Sequence, residues 1–303
     1  MRHDHFAITR FADLDTQRHV TSRTYEQFAL EGRYQVLAKL GYNQERIQNE
    51  QIYLEAVRGY SKFHRQQFPG VQLKVDTFCT VPLTPRSLLP EGEGKLPSPS
   101  GRRAGDEGAI IHWDQKIRDA AGELVCHLQL ETRTTKAGVP MQLEGIEAAE
   151  NFEILYADLA PWSGNNERVV NHYTMPYSDR DFAGRFNVAS YWKIFEEGRW
   201  MFAEKTGLTY ERIVEMDTTS FYMGSICNFF AEIPAGRTLQ IMTWIERVDK
   251  IRYFFRQDVL HNGKLLLAMR DEQLIVSLSK ARPQRASATF MSFMGKYVEF
   301  PVA

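Results

Sequence analysis

The chain has 303 residues, 43% of them hydrophobic and 25% charged, with a formal net charge of −1 and a pI near 6.7. That length fits two ordinary domains, each able to bury its own core, and the near-neutral balance excludes the basic field of a nucleic-acid-binding protein. No apolar run approaches the roughly 18 residues of a membrane helix, and Met1-Arg-His-Asp-His-Phe lacks the apolar core of a signal peptide, so a cytoplasmic protein without a membrane span is expected.

Residues 5–12 alternate weakly and predict a first strand, and His3 and His5 are read as a disordered amino terminus rather than a metal pair. Asp13 to Thr21 reads as a turn, and Thr21 or Ser22 is placed to cap a helix. In that helix Tyr25, Phe28, Ala29, Gly32, Val36 and Leu40 form one apolar face, and Gly41 ends it. Gly32 lowers helix propensity by about 1 kcal/mol relative to Ala, so its place on the apolar face predicts another backbone packed close against it. Strands are expected at 52–58, 60–67, 71–80, 110–119 and 123–134, the last two joined by a turn at Ala121-Gly122. Between Thr84 and Gly108 the composition shifts to Pro, Gly, Ser and charge, which reads as a surface insertion. Arg102 and Arg103 lie within it and are read as part of a solvated loop.

A connecting segment with some helical character at 145–159 leads to a second strand–turn–helix, with the strand ending at Tyr177 and the helix running from about Val188 to Lys205. Strands follow near 219–225, 226–233, 237–248, 251–261 and 264–278, with a hairpin at Asn262-Gly263, and the apolar tail residues Phe290, Met291, Phe293 and Met294 are expected to pack back on the body. Strand, helix and then a run of antiparallel strands is an α+β order.

This order occurs twice because the sequence does. Adding 166 to each position pairs Asp13 with Asp179, Asp15 with Asp181, Tyr25 with Tyr191, Glu31-Gly32-Arg33 with Glu197-Gly198-Arg199, Lys39 with Lys205, Gly41 with Gly207, and Glu45-Arg46-Ile47 with Glu211-Arg212-Ile213. That is eleven identities over positions 13–47, against roughly two expected by chance. The domains are therefore 1–140, carrying an insertion at about 84–108, and 172–303, joined by 141–171.

The turn before each helix carries two carboxylates two residues apart, and in the first copy His19 follows Asp15 by four. Unpaired amides at a helix start, together with the positive end of its dipole, keep such a carboxylate ionised. The same amides could receive an oxyanion forming on a substrate carbonyl. Asp, Thr and Ser before a helix are equally ordinary capping residues. Glu31/Arg33 and Glu197/Arg199 read as structural charged pairs. Tyr25 and Tyr191 belong to the apolar faces. Cys79, Cys126 and Cys227 have neither paired nor metal-ligand spacing and are expected to be reduced and buried.

At these turns the sequence resembles the hot-dog thioesterases. D-L-D-T-Q-R-H-V-T-S-R-T-Y is similar to the D-x-D-x-N-x-H-V-N-N-x-x-Y motif of the acyl carrier protein thioesterases. D-R-D-F-A-G-R-F-N-V-A-S-Y is similar to the D-x-D-x-A-G motif of the 4-hydroxybenzoyl-CoA thioesterase branch. The resemblance implies two tandem hot-dog domains, each a long helix wrapped by an antiparallel sheet, forming an internal pseudo-dimer. It implies Asp15 and Asp181 as catalytic carboxylates, with His19 and Gln17 orienting water or substrate and Tyr25, Gly184 and Tyr191 beside the substrate. The chain departs from the motifs at Gln17 and Ser22, where asparagines stand, and at Ala183 and Arg185, which occupy the Gln17 and His19 positions of the second copy.

The implied activity is hydrolysis of an acyl-CoA or an acyl carrier protein thioester. No cofactor is implied beyond the CoA or phosphopantetheine of the substrate, and no metal. Pairing of whole chains into a homo-oligomer is compatible with the fold. A non-catalytic acyl-thioester-binding protein and a hydroxyacyl dehydratase are the alternatives. The aromatic residues Phe221, Tyr222, Phe229, Phe230 and Trp244 read as core at strand spacing, or as the lining of an acyl tunnel.

Overall fold

A computed structural model describes residues 1–15, 18–82, 110–149 and 151–300. The expected insertion, with Arg102 and Arg103, lies outside the described residues, as does Gln17. Two compact units are present. One comprises residues 1–157 with 180–190, and the other 158–179 with 191–303. The turn of the second repeat thus belongs to the first unit.

The first unit holds strands β1 (Arg2–Ile8), β2 (Ile52–Phe63), β3 (Gln72–Thr80), β4 (Ile110–Arg118), β5 (Leu124–Lys136) and β6 (Val139–Pro140), with helices α1 (Ser22–Lys39) and α2 (Gln44–Asn49). Its sheet runs β1-β3-β4-β5-β2 and is antiparallel throughout. Chain order and sheet order differ because α1 must be accommodated against the sheet before the strands close around it. The segments expected at 52–58 and 60–67 are one strand, interrupted by a bulge between Ala56 and Arg58. A bulge breaks strand alternation, so the sequence pattern reads as two elements. β1 includes His3 and His5, contrary to the expected disorder. Both pair with β3, and the His3 imidazole bonds Gln35 of α1 at 2.6 Å.

β7 (Val169–Thr174), helices α3 (Val188–Thr206) and α4 (Tyr210–Glu215), then β8 (Thr219–Phe229), β9 (Thr238–Asp249), β10 (Arg252–His261) and β11 (Lys264–Ser277) repeat the plan. In the second unit the order is β7-β9-β10-β11-β8, matching the first unit strand for strand. Here too one strand with a bulge, near Gln273 of β11 opposite Tyr222, replaces two expected segments. After β12 (Arg282–Pro283) and α5 (Ala288–Met294), β13 (Val298–Phe300) adds to β9 in parallel. Phe290 and Met294 are buried in the cluster around Phe202, Phe255 and Tyr297, as the apolar tail requires.

Each long helix meets its sheet through a glutamine. The Gln115 amide donates to the Ala29 carbonyl at 2.7 Å, and the Gln257 amide to the Phe195 carbonyl at 3.1 Å. Both amides pass the glycine one turn on. A Cβ at Gly32 would sit 2.5 Å from Thr77 Oγ1, and one at Gly198 only 2.1 Å from Gln257 Nε2. The repeated glycine therefore makes room for side-chain polar groups, not for the second backbone expected from sequence. Arg33 is likewise not paired with Glu31. It is buried and bonds Glu26 and Gln115, while Glu31 bonds Gln35. Arg199 pairs at 2.9 Å with Asp271, whose carboxyl burial raises despite that partner.

Among the described residues of 145–159 the connection carries no helix. Residues 152–156 instead run over the outer face of the first sheet, where Phe152 stacks on His112 and Gln129 bonds the Glu153 carbonyl and the Leu155 amide. Side chains of β5 satisfy backbone groups that a helix would have paired internally, which removes the incentive to coil. Cys79, Cys126 and Cys227 are free and buried.

Candidate active site

In both turns the second carboxylate residue and the residue four positions on make matching bonds. The Asp15 amide donates to the His19 carbonyl at 2.9 Å, and Asp15 Oδ1 accepts the His19 amide at 3.0 Å. In the second copy the Asp181 amide donates to the Arg185 carbonyl at 2.8 Å, and Asp181 Oδ1 accepts the amides of Ala183 at 2.9 Å and Arg185 at 3.1 Å. Each carboxylate is therefore tied to its loop by main-chain donors, a bond that a short side chain with an acceptor oxygen makes. The loop needs a left-handed residue at its fourth position. Gly184 takes φ +73° there without cost, whereas Arg18 is held at +67°.

The other carboxylate of each pair is an anchor. Buried Asp13 accepts the Arg10 amide at 2.7 Å and its guanidinium at 2.9 Å, and Asp179 accepts both of its short bonds, 2.6 and 2.7 Å, from Lys193. The helices then begin on matching caps. Thr21 Oγ1 accepts the Thr24 amide at 3.3 Å, and Asn187 Oδ1 accepts the Ser190 amide at 3.1 Å. The dipole of an 18- or 19-residue helix thus starts seven residues after each loop carboxylate.

The surroundings of Asp181 are well defined within the first unit. From one face of β2, Tyr53 meets Phe186 and Glu55 meets Arg185 of this turn, and Tyr34 of α1 meets Phe182. The Tyr53 hydroxyl donates to the Phe186 carbonyl at 3.3 Å. The Arg185 guanidinium lies 4.6 Å over the Tyr53 ring and donates to Glu55 at 3.0 Å, and Glu55 takes Arg133 at 2.8 Å on its other oxygen. Tyr34 meets Phe182 edge to face at 5.6 Å. Burial pushes the Asp181 carboxyl above the ordinary carboxylate range, opposed by the Arg185 and Ala183 amides, the Tyr53 hydroxyl and the Arg185 charge. Burial and the nearby Asp181 charge in turn raise the Tyr34 phenol. A desolvated carboxylate of raised basicity, fixed by main-chain donors ahead of a helix, suits the removal of a proton from water.

Of the residues predicted from sequence, Asp15 and His19 share one loop, and Asp181 and Gly184 the other. His19 additionally meets Phe68 edge on, with centroids 6.2 Å apart. Tyr25 and Tyr191 lie in hydrophobic interiors, against Phe63 and Phe229 respectively. Trp244 is fully buried, with its indole donating to Glu299 at 2.6 Å. Tyr34, Tyr53, Glu55 and Phe182 were not singled out by sequence. A signal existed, since the 166-residue offset sets Thr219 and Phe221 opposite Tyr53 and Glu55. Among the described residues no cluster of His, Cys, Asp and Glu could hold a metal ion, and no helix is long and apolar enough to cross a membrane.

The family model of the thioesterase-like superfamily matches residues 175–301. Among solved structures, the chain is similar to a protein assigned as an oleoyl thioesterase from Lactobacillus plantarum, at 10% identity and a TM-score of 0.68, over 91% of this chain and 97% of that one. It is also similar to an acyl-ACP thioesterase from Bacteroides thetaiotaomicron, at 11% identity and a TM-score of 0.61, over 90% and 97% of the two chains. The 12:0-ACP thioesterase from Umbellularia californica matches at 11% identity and a TM-score of 0.60, over 93% and 94%. No curated protein matches the chain. At these identities the structural likeness shows the fold, an antiparallel sheet with few helices in the manner of the hot-dog thioesterases.

Proposed function

We propose that the chain is a tandem hot-dog protein that hydrolyses an acyl thioester of CoA or of an acyl carrier protein to the free acid and the thiol. The observation carrying this reading is the loop carboxylate, repeated with the same hydrogen bonds ahead of a long helix in each copy. Asp181 takes a proton from water as the water oxygen attacks the thioester carbonyl. Amides at the start of α3 receive the oxyanion. Collapse expels the thiolate, which leaves as the thiol with the proton held by Asp181. The Asp15 loop, with His19 and Gln17, is a second site of lower turnover. No group beyond the CoA or phosphopantetheine arm of the substrate takes part, and the reaction belongs to the cytoplasm.

The test is free-thiol release from short, long and aromatic acyl-CoAs and from acyl carrier protein thioesters, with Asp181→Asn, Asp15→Asn and the double variant beside the parent. Turnover on one substrate class, largely lost in Asp181→Asn and abolished in the double variant, is the expected result. Tight acyl-CoA binding without turnover on either class, or a fully active double variant, would overturn the proposal.

A further inference from the structure

The outer edge of the first unit's sheet is left open where the repeat is blunted. Met1 and Cys79 exchange both main-chain bonds, at 2.9 and 3.0 Å, and the register from Arg2↔Phe78 to Ile8↔Gln72 runs without a shift. Bonded pairs alternate along an antiparallel ladder, so His3, His5 and Ala7 bond β3. The amides and carbonyls of Arg2, Asp4, Phe6 and Ile8 then point away from it. Among the described residues no strand pairs with that side of β1. In the second unit Lys205 donates to the Val170 carbonyl at 2.5 Å on the equivalent edge, and the polar His172 and Thr174 alternate with Val170. The repeat matches Val170 with Asp4 and Lys205 with Lys39, yet among the described residues Lys39 makes no such bond.

Sheet edges are ordinarily protected by charges, prolines or bulges, and β1 has none of these at Phe6 and Ile8. Those two are 65% and 60% exposed, and Phe11 and Phe68 at the same corner 82% and 58%. Phe68 is held there by the Thr9 hydroxyl, which donates to its carbonyl at 2.6 Å. At about 200 Å² for a whole aromatic side chain, the four present roughly 500 Å² of apolar surface. Covering the patch on two copies removes about 1,000 Å² from water, the size at which a specific interface forms. The cations nearby are already matched, Arg10 with Asp13 at 2.9 Å, Lys74 with Asp4 at 2.8 Å and Arg65 with Glu123 at 3.1 Å. An anionic bilayer or an acidic partner requires a basic surplus, which this corner lacks.

We infer that the occupant is a second copy of the chain, its β1 paired antiparallel with this one about Ala7. Arg10 continues the extended backbone, with φ −122° and ψ 162°. In this register Phe6 exchanges main-chain bonds with Ile8 of the second copy, and Asp4 faces Arg10 of the second copy. The strand run against itself therefore matches apolar with apolar and acid with base, as a two-fold interface requires. Centring the pair on Asp4 would instead oppose two carboxylates, which is destabilising.

The experiment is light scattering on the size-separated full chain and its variants over a concentration series, with circular dichroism to confirm the fold. The parent is expected at twice the 35.1 kDa of one chain. Phe6→Lys sets a charge against Ile8 of the second copy, and Ile8→Pro removes an outward amide without touching the β3 ladder. Each weakens association by about tenfold or more. The double variant Phe6→Lys/Ile8→Glu recovers pairing, since its new charges face each other across the axis. Val139→Lys, at an exposed apolar residue of β6, changes nothing. A parent that stays monomeric at every concentration would overturn the proposal, as would a dimer that both Phe6→Lys and Ile8→Pro leave intact. A double variant no better than Phe6→Lys would overturn the register about Ala7. Parent monomers that bind phospholipid vesicles, and lose that binding on Phe6→Lys, would assign the patch to a lipid surface instead.

Discussion

The described residues of the turns at 13–21 and 179–187 make the same main-chain bonds around their second carboxylate and have diverged in almost everything around it. Both hold their second carboxylate with the amide four residues on, both use their first as an anchor, and both end in a side-chain helix cap. The anchor partner, however, is Arg10 in one and Lys193 in the other, and the left-handed position holds Arg18 in one and Gly184 in the other. Where His19 stands in the first turn, the second has Arg185 locked to Glu55. The comparison teaches that the loop is the retained part. A carboxylate with main-chain donors tolerates many neighbours, and the neighbours decide how basic it is.

The largest effect expected bears on whether the two loops are equivalent. Asp181→Asn should lower thioester hydrolysis by roughly a hundredfold or more, the usual scale of a lost general base, with Asp15→Asn costing less than tenfold, both read as initial rates of thiol release. Equal losses would make the sites interchangeable and remove the distinction drawn above.

Next in size are the helix glycines, where the two units should respond alike but unequally. Gly198→Ala places a methyl against the buried Gln257 amide and threatens its bond to Phe195. A loss of about 2–3 kcal/mol in urea unfolding is expected, in the upper range for an overpacked interior. Gly32→Ala meets Thr77 at a longer distance and should cost less.

A third comparison sets Asp258 against Lys116, which occupies the corresponding place beside the helix-contacting glutamine of β4. Burial raises Asp258 to about 6, opposed by Arg256 and Arg168. An acid raised in the folded state is destabilising when ionised, so its contribution worsens as pH climbs from about 4 through about 6. Asp258→Asn should therefore stabilise the second unit by about 1–3 kcal/mol at pH 7 and have no effect at pH 3.5. Thermal unfolding at the two pH values checks the sign.

The smallest change is Arg18→Gly, which relieves a left-handed arginine at the cost of added freedom in the unfolded chain. The two terms nearly cancel, and a gain below about 1 kcal/mol is expected. Gly184→Ala should lose about 1 kcal/mol at the equivalent position. Thermal melts of the pair would show whether the loops are strained to the same degree.

The duplication, the two long helices with the cap of the first, the hairpin at Asn262-Gly263 and most strands were legible in the sequence, because each rests on local periodicity or local turn chemistry. So was the placing of Asp15 with His19 and Asp181 with Gly184, since residues three or four apart in a turn have nowhere else to go. The bulged strands were read as pairs of strands because one inserted residue inverts the alternation. The partners of Arg33 and Arg199 were misplaced because a buried guanidinium takes whichever acceptor the facing strand delivers, Glu26 and Gln115 in one case and Asp271 in the other. Tyr34, Tyr53 and Glu55 lie between 126 and 147 positions from Asp181 in sequence. The sequence by itself determined which carboxylates are built into loops; only the tertiary structure decided that Tyr53 and the Arg133–Glu55–Arg185 chain pack on the turn that holds Asp181. Loop geometry is set by neighbours along the chain, whereas desolvation and hydrogen bonding to a carboxylate are set by whatever the fold packs against it.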